Sequence, residues 1–213
     1  RRKMCVGVFG PSQSGKSYLI SALARDSRGD LLADFCGRTS DFITEINPEG
    51  GKESTGLVTR FTTTPPQGLT PDFPIRLRLL SEMDVVRVLA NTYYADCEHK
   101  QMPDADAMRS ALERLTQTAR QSSPGASSVT ADDVEDLREY LNRNFLSKPR
   151  VQMLQQGYWA QAVSLAPLLP LSYRAELFGI IWNNQPKFQQ LFLELCQALE
   201  ALGSRESDYY VIL

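Results

Sequence analysis

Residues 10–17 read GPSQSGKS and match the phosphate-binding pattern G-x-x-x-x-G-K-[ST]. In a loop of this kind successive backbone N–H groups surround the phosphates of a nucleotide, and Gly10 and Gly15 allow the tight turns that this requires. The amine of Lys16 is predicted to reach the β and γ phosphates, and the hydroxyl of Ser17 to ligate Mg²⁺. The segment predicts a nucleotide-binding site, against the simpler interpretation of a glycine-rich turn.

Such a loop lies between a strand and a helix, and the flanking sequence predicts both. Residues 4–9 (MCVGVF) form a short apolar run that predicts a buried parallel strand. Residues 18–24 (YLISALA) predict a helix whose positive N-terminal end adds to the anion site. The predicted nucleotide contacts are Gly10, Ser12, Gln13, Ser14, Gly15, Lys16, Ser17 and Tyr18.

The next part of the chain changes from turn-rich to strand-like. Residues 31–54 are polar and contain the turn sequence NPEGG, which predicts an irregular, mobile region. Residues 56–63 (GLVTRFTT) are dense in β-branched side chains and predict a strand. Residues 75–80 alternate apolar side chains with Arg76 and Arg78, which predicts a half-exposed antiparallel strand joined to the first by a long proline-rich turn.

From residue 81 the periodicity becomes helical. Ser81 with Asp84 and Thr130 with Asp133 have the spacing of helix-capping pairs. Helices are predicted from residue 81 to about 95, at 104–121, from 130 to about 145, and at 151–165, 171–182 and 186–202. Seven apolar positions at helical spacing predict a packed core rather than a ligand pocket: Tyr158, Trp159, Phe178, Trp182, Phe188, Phe192 and Leu195.

Composition excludes several classes of protein. The chain has 213 residues, 42% of them hydrophobic, and a formal net charge of −2, so it lacks the basic surface of a nucleic-acid-binding protein. Its 4 cysteines are scattered without a paired spacing, which predicts reduced thiols in the cytoplasm. Residues 96–99 (DCEH) are the one candidate metal cluster, but four adjacent side chains rarely converge on one ion. No apolar run predicts a transmembrane segment, whereas peripheral membrane contact stays open.

Residues 49–63 (EGGKESTGLVTRFTT) begin about 33 residues after Lys16 and contain Val58, Thr59 and Arg60. This segment resembles the first switch of dynamin-like GTPases, in which a glycine, an aliphatic pair and Thr-Arg follow a small-residue loop. Together, VGVFGPSQSGKSYLISALAR and DFITEINPEGGKESTGLVTRFT resemble the SrfC-like family of bacterial virulence factors, cytoplasmic proteins with an N-terminal P-loop domain. The resemblance covers roughly the first 65 residues, and the helical remainder is consistent with it.

The resemblance implies that Lys16 and Ser17 bind phosphate and Mg²⁺, and that Thr59 is the switch threonine that closes on the metal; Thr55 is the competing candidate. Lys16 and Thr59 are the implied catalytic residues, and Ser17 and Thr59 the implied metal ligands. The alternative for Thr59 is a strand residue favoured for its β-branch.

The chain departs from the pattern of these GTPases in three ways. Ser12 precedes Gln13, the reverse of the usual order, so the resemblance does not extend to the residue that positions the attacking water. The second metal motif of these GTPases, Asp-x-x-Gly after a strand, is missing. The sequence DSRG at residues 26–29 fits its letters but follows a predicted helix, so we interpret it as a chance match. No guanine-reading motif is present, so the preference for GTP over ATP rests on the resemblance. Residues 209–213 predict a strand that is cut off before a missing Asp-x-x-Gly motif, as in a fragment of a longer chain.

The sequence predicts an α/β fold with a P-loop NTPase-type sheet, complete or incomplete, and a largely helical insertion or second subdomain. The predicted regions are a nucleotide-binding core at 1–80, a helical region at 81–203 and a returning strand at 204–213. The leading hypothesis is an Mg²⁺-dependent GTP/GDP switch with slow hydrolysis and with partner proteins from a virulence-associated operon. One alternative is a non-hydrolysing nucleotide-binding scaffold that presents its helices to protein partners, and another is a small-molecule kinase.

Overall fold

The computed structural model describes residues 6–8, 15–46, 58–97, 104–121, 127–202 and 208–211. The chain divides into two compact units. We call residues 1–77 with 208–213 the N-terminal unit, and residues 78–207 the helical unit.

The N-terminal unit combines one helix with short strands. Helix α1 is Lys16–Ala24 and is followed by the antiparallel hairpin of β1 (Leu32–Phe35) and β2 (Arg38–Asp41). A π-helical turn, Phe42–Ile46, continues directly from β2. Strand β3 (Ile75–Arg78) pairs with β4 (Asp208–Val211) in a second two-stranded sheet. Helix α1 and strand β4 confirm the predicted helix at 18–24 and the strand predicted from residue 209, within the described residues.

Two predicted strands are wrong over the residues that can be compared. Residues 6–8 are not in a strand, and the side chain of Val6 is 94% exposed. Residues 58–63 are also outside any strand, with Val58 fully exposed. Here the Thr62 hydroxyl donates to the Thr64 carbonyl and accepts from the Thr64 amide, and such local hydrogen bonds compete with strand pairing. The predicted partner strand β3 exists, but it pairs with β4.

The β1–β2 hairpin lies in the region predicted to be irregular. Its two-residue turn is Cys36–Gly37, with φ of 57° and 99°, as a type I′ turn requires. The Gly37 amide donates to the Asp34 carboxylate at 2.7 Å, which stabilises the turn. Leu32 opposes Asp41 and Phe35 opposes Arg38, so the pairing begins directly at the turn.

The helical unit contains seven α-helices among the described residues. They are α2 (Glu82–Asp96), α3 (Ala105–Gln121), α4 (Ala131–Phe145), α5 (Pro149–Leu154), α6 (Tyr158–Leu165), α7 (Leu171–Gly179) and α8 (Pro186–Ala201), with a 3₁₀ turn at Ile180–Trp182. Helix α2 packs against α4 and α8, α3 against α6 and α7, and α4 against α6.

Both predicted capping pairs are confirmed as capping boxes. The Asp84 amide donates to the Ser81 hydroxyl at 3.1 Å, and the Ser81 amide donates to the Asp84 carboxylate at 2.9 Å. Thr130 and Asp133 make the same two bonds, at 3.2 and 2.9 Å. These bonds satisfy backbone amides that have no partner inside the helix, and they fix where α2 and α4 begin.

The helix predicted at 151–165 is interrupted. Helix α5 ends at Leu154, and Gly157, with a φ of 102°, lies directly before α6, which starts as a separate helix at Tyr158. A Cβ at Gly157 would meet no atom of the described part of the chain within 4 Å, so the cost of a substitution there is backbone strain. The helix predicted at 171–182 likewise changes to a 3₁₀ turn after Gly179.

We expect Gly157→Ala to lower the free energy of unfolding by about 1–2 kcal/mol, because alanine disfavours the left-handed region. Gly157→Asn is the matched control and should cost less, since asparagine tolerates positive φ. Urea unfolding followed by circular dichroism measures both changes. Equal stabilities for the alanine variant and the unsubstituted protein would contradict this account of the break.

The predicted aromatic core is confirmed with one exception. Tyr158, Trp159, Phe178, Trp182 and Phe192 are buried, and the half-buried Phe188 ring lies 5.8 Å from Tyr93. Leu195 is 41% exposed, so its assignment to the core is wrong. In α8, Leu195 lies four residues after the exposed Leu191, on the outer face of the helix.

The helical core should make the protein less stable in alkaline solution. Burial, helped by the nearby Glu82 carboxylate, raises the pKa of the Cys196 thiol to about 12. Below pH ~8 the thiol is protonated in both the folded and the unfolded chain, so it adds no pH dependence there. As pH rises from ~9 towards 12, the unfolded chain loses this proton first, and the free energy of unfolding falls.

Urea unfolding at pH 8 and pH 10 tests this expectation, with stability lower at pH 10. Burial also raises the pKa of Tyr94 and Tyr158, so both tyrosines act in the same direction. Cys196→Ala should reduce the loss between the two pH values without abolishing it. A free energy of unfolding that is the same at pH 8 and pH 10 would refute the prediction.

Candidate functional site

Gly15 is the second glycine of the phosphate-binding pattern and lies directly before α1. Its φ of 80° and ψ of 15° are left-handed, a conformation that favours glycine. Its carbonyl accepts the first hydrogen bond of the helix, from the Leu19 amide at 2.9 Å. Gly15 supplies no side-chain cap, and the first turn of α1 has no acidic residue. The helix's own side chains therefore leave its positive N-terminal end uncompensated, which suits an anion.

The two faces of α1 differ in burial. Lys16, Ser17, Ile20 and Ser21 are half-buried and share one face, since they are spaced one and four residues apart. The opposite face is exposed, with Tyr18 at 73%, Leu19 at 48% and Leu23 at 76%. The predicted phosphate and metal residues thus lie on the more buried side of the helix, whereas the predicted contact Tyr18 lies on the other.

The predicted residues Gly10, Ser12, Gln13, Ser14 and the competing switch candidate Thr55 lie outside the described residues. Of the ten predicted site residues, the structure therefore places Gly15, Lys16, Ser17 and Tyr18 at one helix end, and Thr59 elsewhere in the same unit.

Thr59 is exposed and lies outside helices and strands. Two residues later, the ring of Phe61 packs edge-to-face on Phe42, with ring centroids 4.8 Å apart. Phe42 begins the π-helical turn, and that turn contacts α1. The segment that contains Thr59 is thereby linked to the helix that contains Lys16 and Ser17.

The Asp26 carboxylate is occupied by the backbone that follows α1. It accepts hydrogen bonds from the amides of Arg28, Gly29 and Asp30 at 2.8, 3.1 and 3.2 Å. The amides of Asp30 and Arg28 lower the pKa of this carboxyl. Asp26 thus follows a helix and closes a turn, as the position of DSRG after the first predicted helix implies.

Sequence reasoning missed the π-helical turn and its ring contact. The turn does have a local signal in the sequence DFIT at residues 41–44. The Asp41 carboxylate accepts hydrogen bonds from both the amide and the hydroxyl of Thr44, each at 2.8 Å. Such Asx turns are encoded by a short polar side chain two or three residues before its donor. The contact between Phe42 and Phe61 joins residues that are distant in the chain, so no short sequence pattern predicts it.

The described residues contain no group of three or more His, Cys, Asp or Glu side chains that could hold a metal ion. Of the candidate cluster at 96–99, Glu98 and His99 lie outside the described residues. None of the helices in the described part of the chain combines the length and the apolar composition needed to cross a bilayer.

Residues 1–212 match the family described as "putative bacterial virulence factor". The chain belongs to this family. The match confirms the predicted membership of a family of bacterial virulence factors and extends it from the first 65 residues to the helical unit. No curated protein and no solved structure matches the chain.

Proposed function

We propose that the N-terminal unit of this virulence-factor family member is an Mg²⁺-dependent purine-nucleotide-binding domain with a P-loop NTPase-type fold. The observation that carries the proposal is the left-handed Gly15, followed at once by a helix that opens with Lys16 and Ser17. A helix start of this kind, preceded by the sequence GPSQS, suits the binding of phosphate.

The residues at the start of α1 fit a nucleotide with its metal ion. The Lys16 ammonium would hold phosphate oxygens, and the hydroxyls of Ser17 and Thr59 would be hard oxygen ligands for Mg²⁺. Bound Mg²⁺ supplies positive charge next to the phosphates. Gly15 supplies no side-chain cap, and the first turn of α1 has no acidic residue that would repel an anion.

GTP is the proposed nucleotide because the segment around Thr59 resembles the first switch of dynamin-like GTPases. Binding of the triphosphate would order the segment that ends at Thr59, and hydrolysis would release it. Hydrolysis should be slow, since Ser12 and Gln13 stand in the reverse of the order found in those GTPases. Lys16 and Thr59 would then be the catalytic residues.

Thermal unfolding with GTP, GDP, ATP and ADP, each with and without Mg²⁺, tests this proposal. A ligand at 100 times its dissociation constant stabilises the folded state by about 2.7 kcal/mol. We expect GTP and GDP to raise the melting temperature and Mg²⁺ to increase the shift. If none of the four nucleotides changes the melting temperature at millimolar concentration, the proposal is wrong.

The exposure of Thr59 favours a second candidate, a non-hydrolysing scaffold that binds nucleotide and presents its helices to other proteins. An exposed hydroxyl in an irregular segment is not positioned for a chemical step. Phosphate release distinguishes the two candidates. Binding of GTP without release of phosphate over several hours would support the scaffold, and release that Thr59→Ala abolishes would support the GTPase.

A further inference from the structure

Phe42 belongs to the small apolar centre of the N-terminal unit. Among the described residues of this unit, the large apolar side chains with less than a tenth of their surface exposed are Leu31 at 6% and Phe42 at 5%. The Phe42 amide also donates to the Leu31 carbonyl at 2.9 Å. Phe42 is therefore fixed through both its backbone and its ring.

The π-helical turn that begins with Phe42 is held by its own side chains. The Asp41 carboxylate accepts twice from Thr44, and the Asp41 amide donates to the Glu45 carboxylate at 3.4 Å. Short π-helical turns are rare and occur often at functional sites. Here the turn supports a ring that faces another part of the chain.

That other part is the end of the Thr59 segment. Phe61 is half-buried and meets Phe42 at an interplanar angle of 89°, the edge-to-face arrangement that aromatic pairs prefer. Thr59 and Arg60, directly before it, are exposed. The chain is thus anchored at Phe61, and the residues just before it project from that anchor.

We propose that Phe42 and Phe61 are positioning residues for Thr59, and this proposal depends on the nucleotide-binding function proposed above. The π-helical turn contacts α1, which contains Lys16 and Ser17. Anchoring Phe61 on this turn restricts the conformations of Thr59, two residues away, and lowers the entropy cost of ordering it at the γ-phosphate and Mg²⁺. The pair favours the triphosphate over the diphosphate because only the triphosphate has a γ-phosphate.

The test measures the affinities of a non-hydrolysable GTP analogue and of GDP, both with Mg²⁺, for Phe61→Leu, Phe42→Leu and the double variant. Leucine keeps an apolar side chain but removes the edge-to-face contact. We expect each single variant to bind the analogue about threefold to tenfold more weakly, with GDP affinity unchanged. The double variant should lose no more than the larger single loss, since both changes break one contact.

Phe73→Leu is the matched control, because Phe73 is a 47% exposed phenylalanine of the same unit. It should leave both affinities unchanged. Phe61→Tyr keeps an aromatic ring at this position and, unlike Phe61→Leu, should bind the analogue as tightly as the unsubstituted protein does. A second readout is tryptic cleavage after the exposed Arg60 in the Phe42→Leu variant, where the cleaved bond itself is unaltered. Cleavage there should be faster than in the unsubstituted protein.

The outcomes separate the two proposals. If the unsubstituted protein binds neither probe, the nucleotide-binding function is wrong and the positioning role falls with it. If the protein binds both probes but the leucine variants weaken the two equally, or weaken neither, the positioning role is wrong while nucleotide binding stands.

Discussion

Replacing Arg174 with methionine is expected to lower the free energy of unfolding of the helical unit by about 3–5 kcal/mol. The side chains of Arg174 and Glu82 are 2% and 8% exposed, and they form a two-pronged ion pair with both N–O distances at 2.7 Å. Arg174 also donates to the Leu169 carbonyl at 2.6 Å. Removing the guanidinium leaves the Glu82 carboxylate buried without its counter-charge, and this is the main cost.

Urea unfolding measures the loss, and Arg138→Met is the matched control. Arg138 pairs with Glu135 at 3.0 Å, but both side chains are about 40% exposed, so its loss should cost less than about 1 kcal/mol. The double variant Arg174→Met with Glu82→Leu should recover part of the stability, because no charge then remains buried. Similar costs for Arg174→Met and Arg138→Met would show that the buried pair is not the stabilising feature.

Trp182→Ala should cost about 3–5 kcal/mol, because it opens a large cavity in the helical core. Trp182 is fully buried, and its ring lies 6.3 Å from Phe188 and 6.1 Å from Phe192. Its indole Nε1 is buried and has no hydrogen-bond partner among the described residues. Trp182→Phe should therefore cost much less, since it leaves a smaller cavity and removes an unsatisfied N–H group.

Far-UV circular dichroism during urea unfolding compares the two substitutions. Both variants lose the same indole nitrogen, so the difference between their losses in free energy of unfolding reports the size of the cavity. If phenylalanine proves as costly as alanine at this position, the size of the cavity does not govern stability there. Near-UV circular dichroism of the folded variants checks that the remaining aromatic core keeps its packing.

Helix boundaries could be predicted from the sequence where the determinants are local. Ser81 with Asp84 and Thr130 with Asp133 are three residues apart, so each helix start is fixed by neighbouring residues. The start of α1 was predictable for the same reason, since Gly15 directly precedes Lys16. The break at Gly157 was not predicted, because the apolar residues keep a helical spacing on both sides of it.

Strands were harder to predict because a strand needs a partner. The β-branched run at residues 56–63 has strand propensity, yet over its described part no pairing forms. Strand β3 was found by its alternation, whereas its partner β4 lies 130 residues further along the chain. In the candidate site, Lys16 and Ser17 could be predicted because they belong to a sequence motif. The link from Thr59 to α1 could not, because it depends on the contact between Phe61 and the distant Phe42.

The central claim is that the start of α1 binds a nucleotide through Lys16, and calorimetric titration with GTP and Mg²⁺ tests it most directly. The unsubstituted protein should bind one GTP per chain, and Lys16→Ala should weaken binding by about 10–100-fold through the loss of a charged hydrogen-bond donor. Lys187→Ala, at an exposed position in α8, is the control and should bind like the unsubstituted protein. Equal GTP affinities for Lys16→Ala and Lys187→Ala, or no heat of binding for any of the three proteins, would contradict the account.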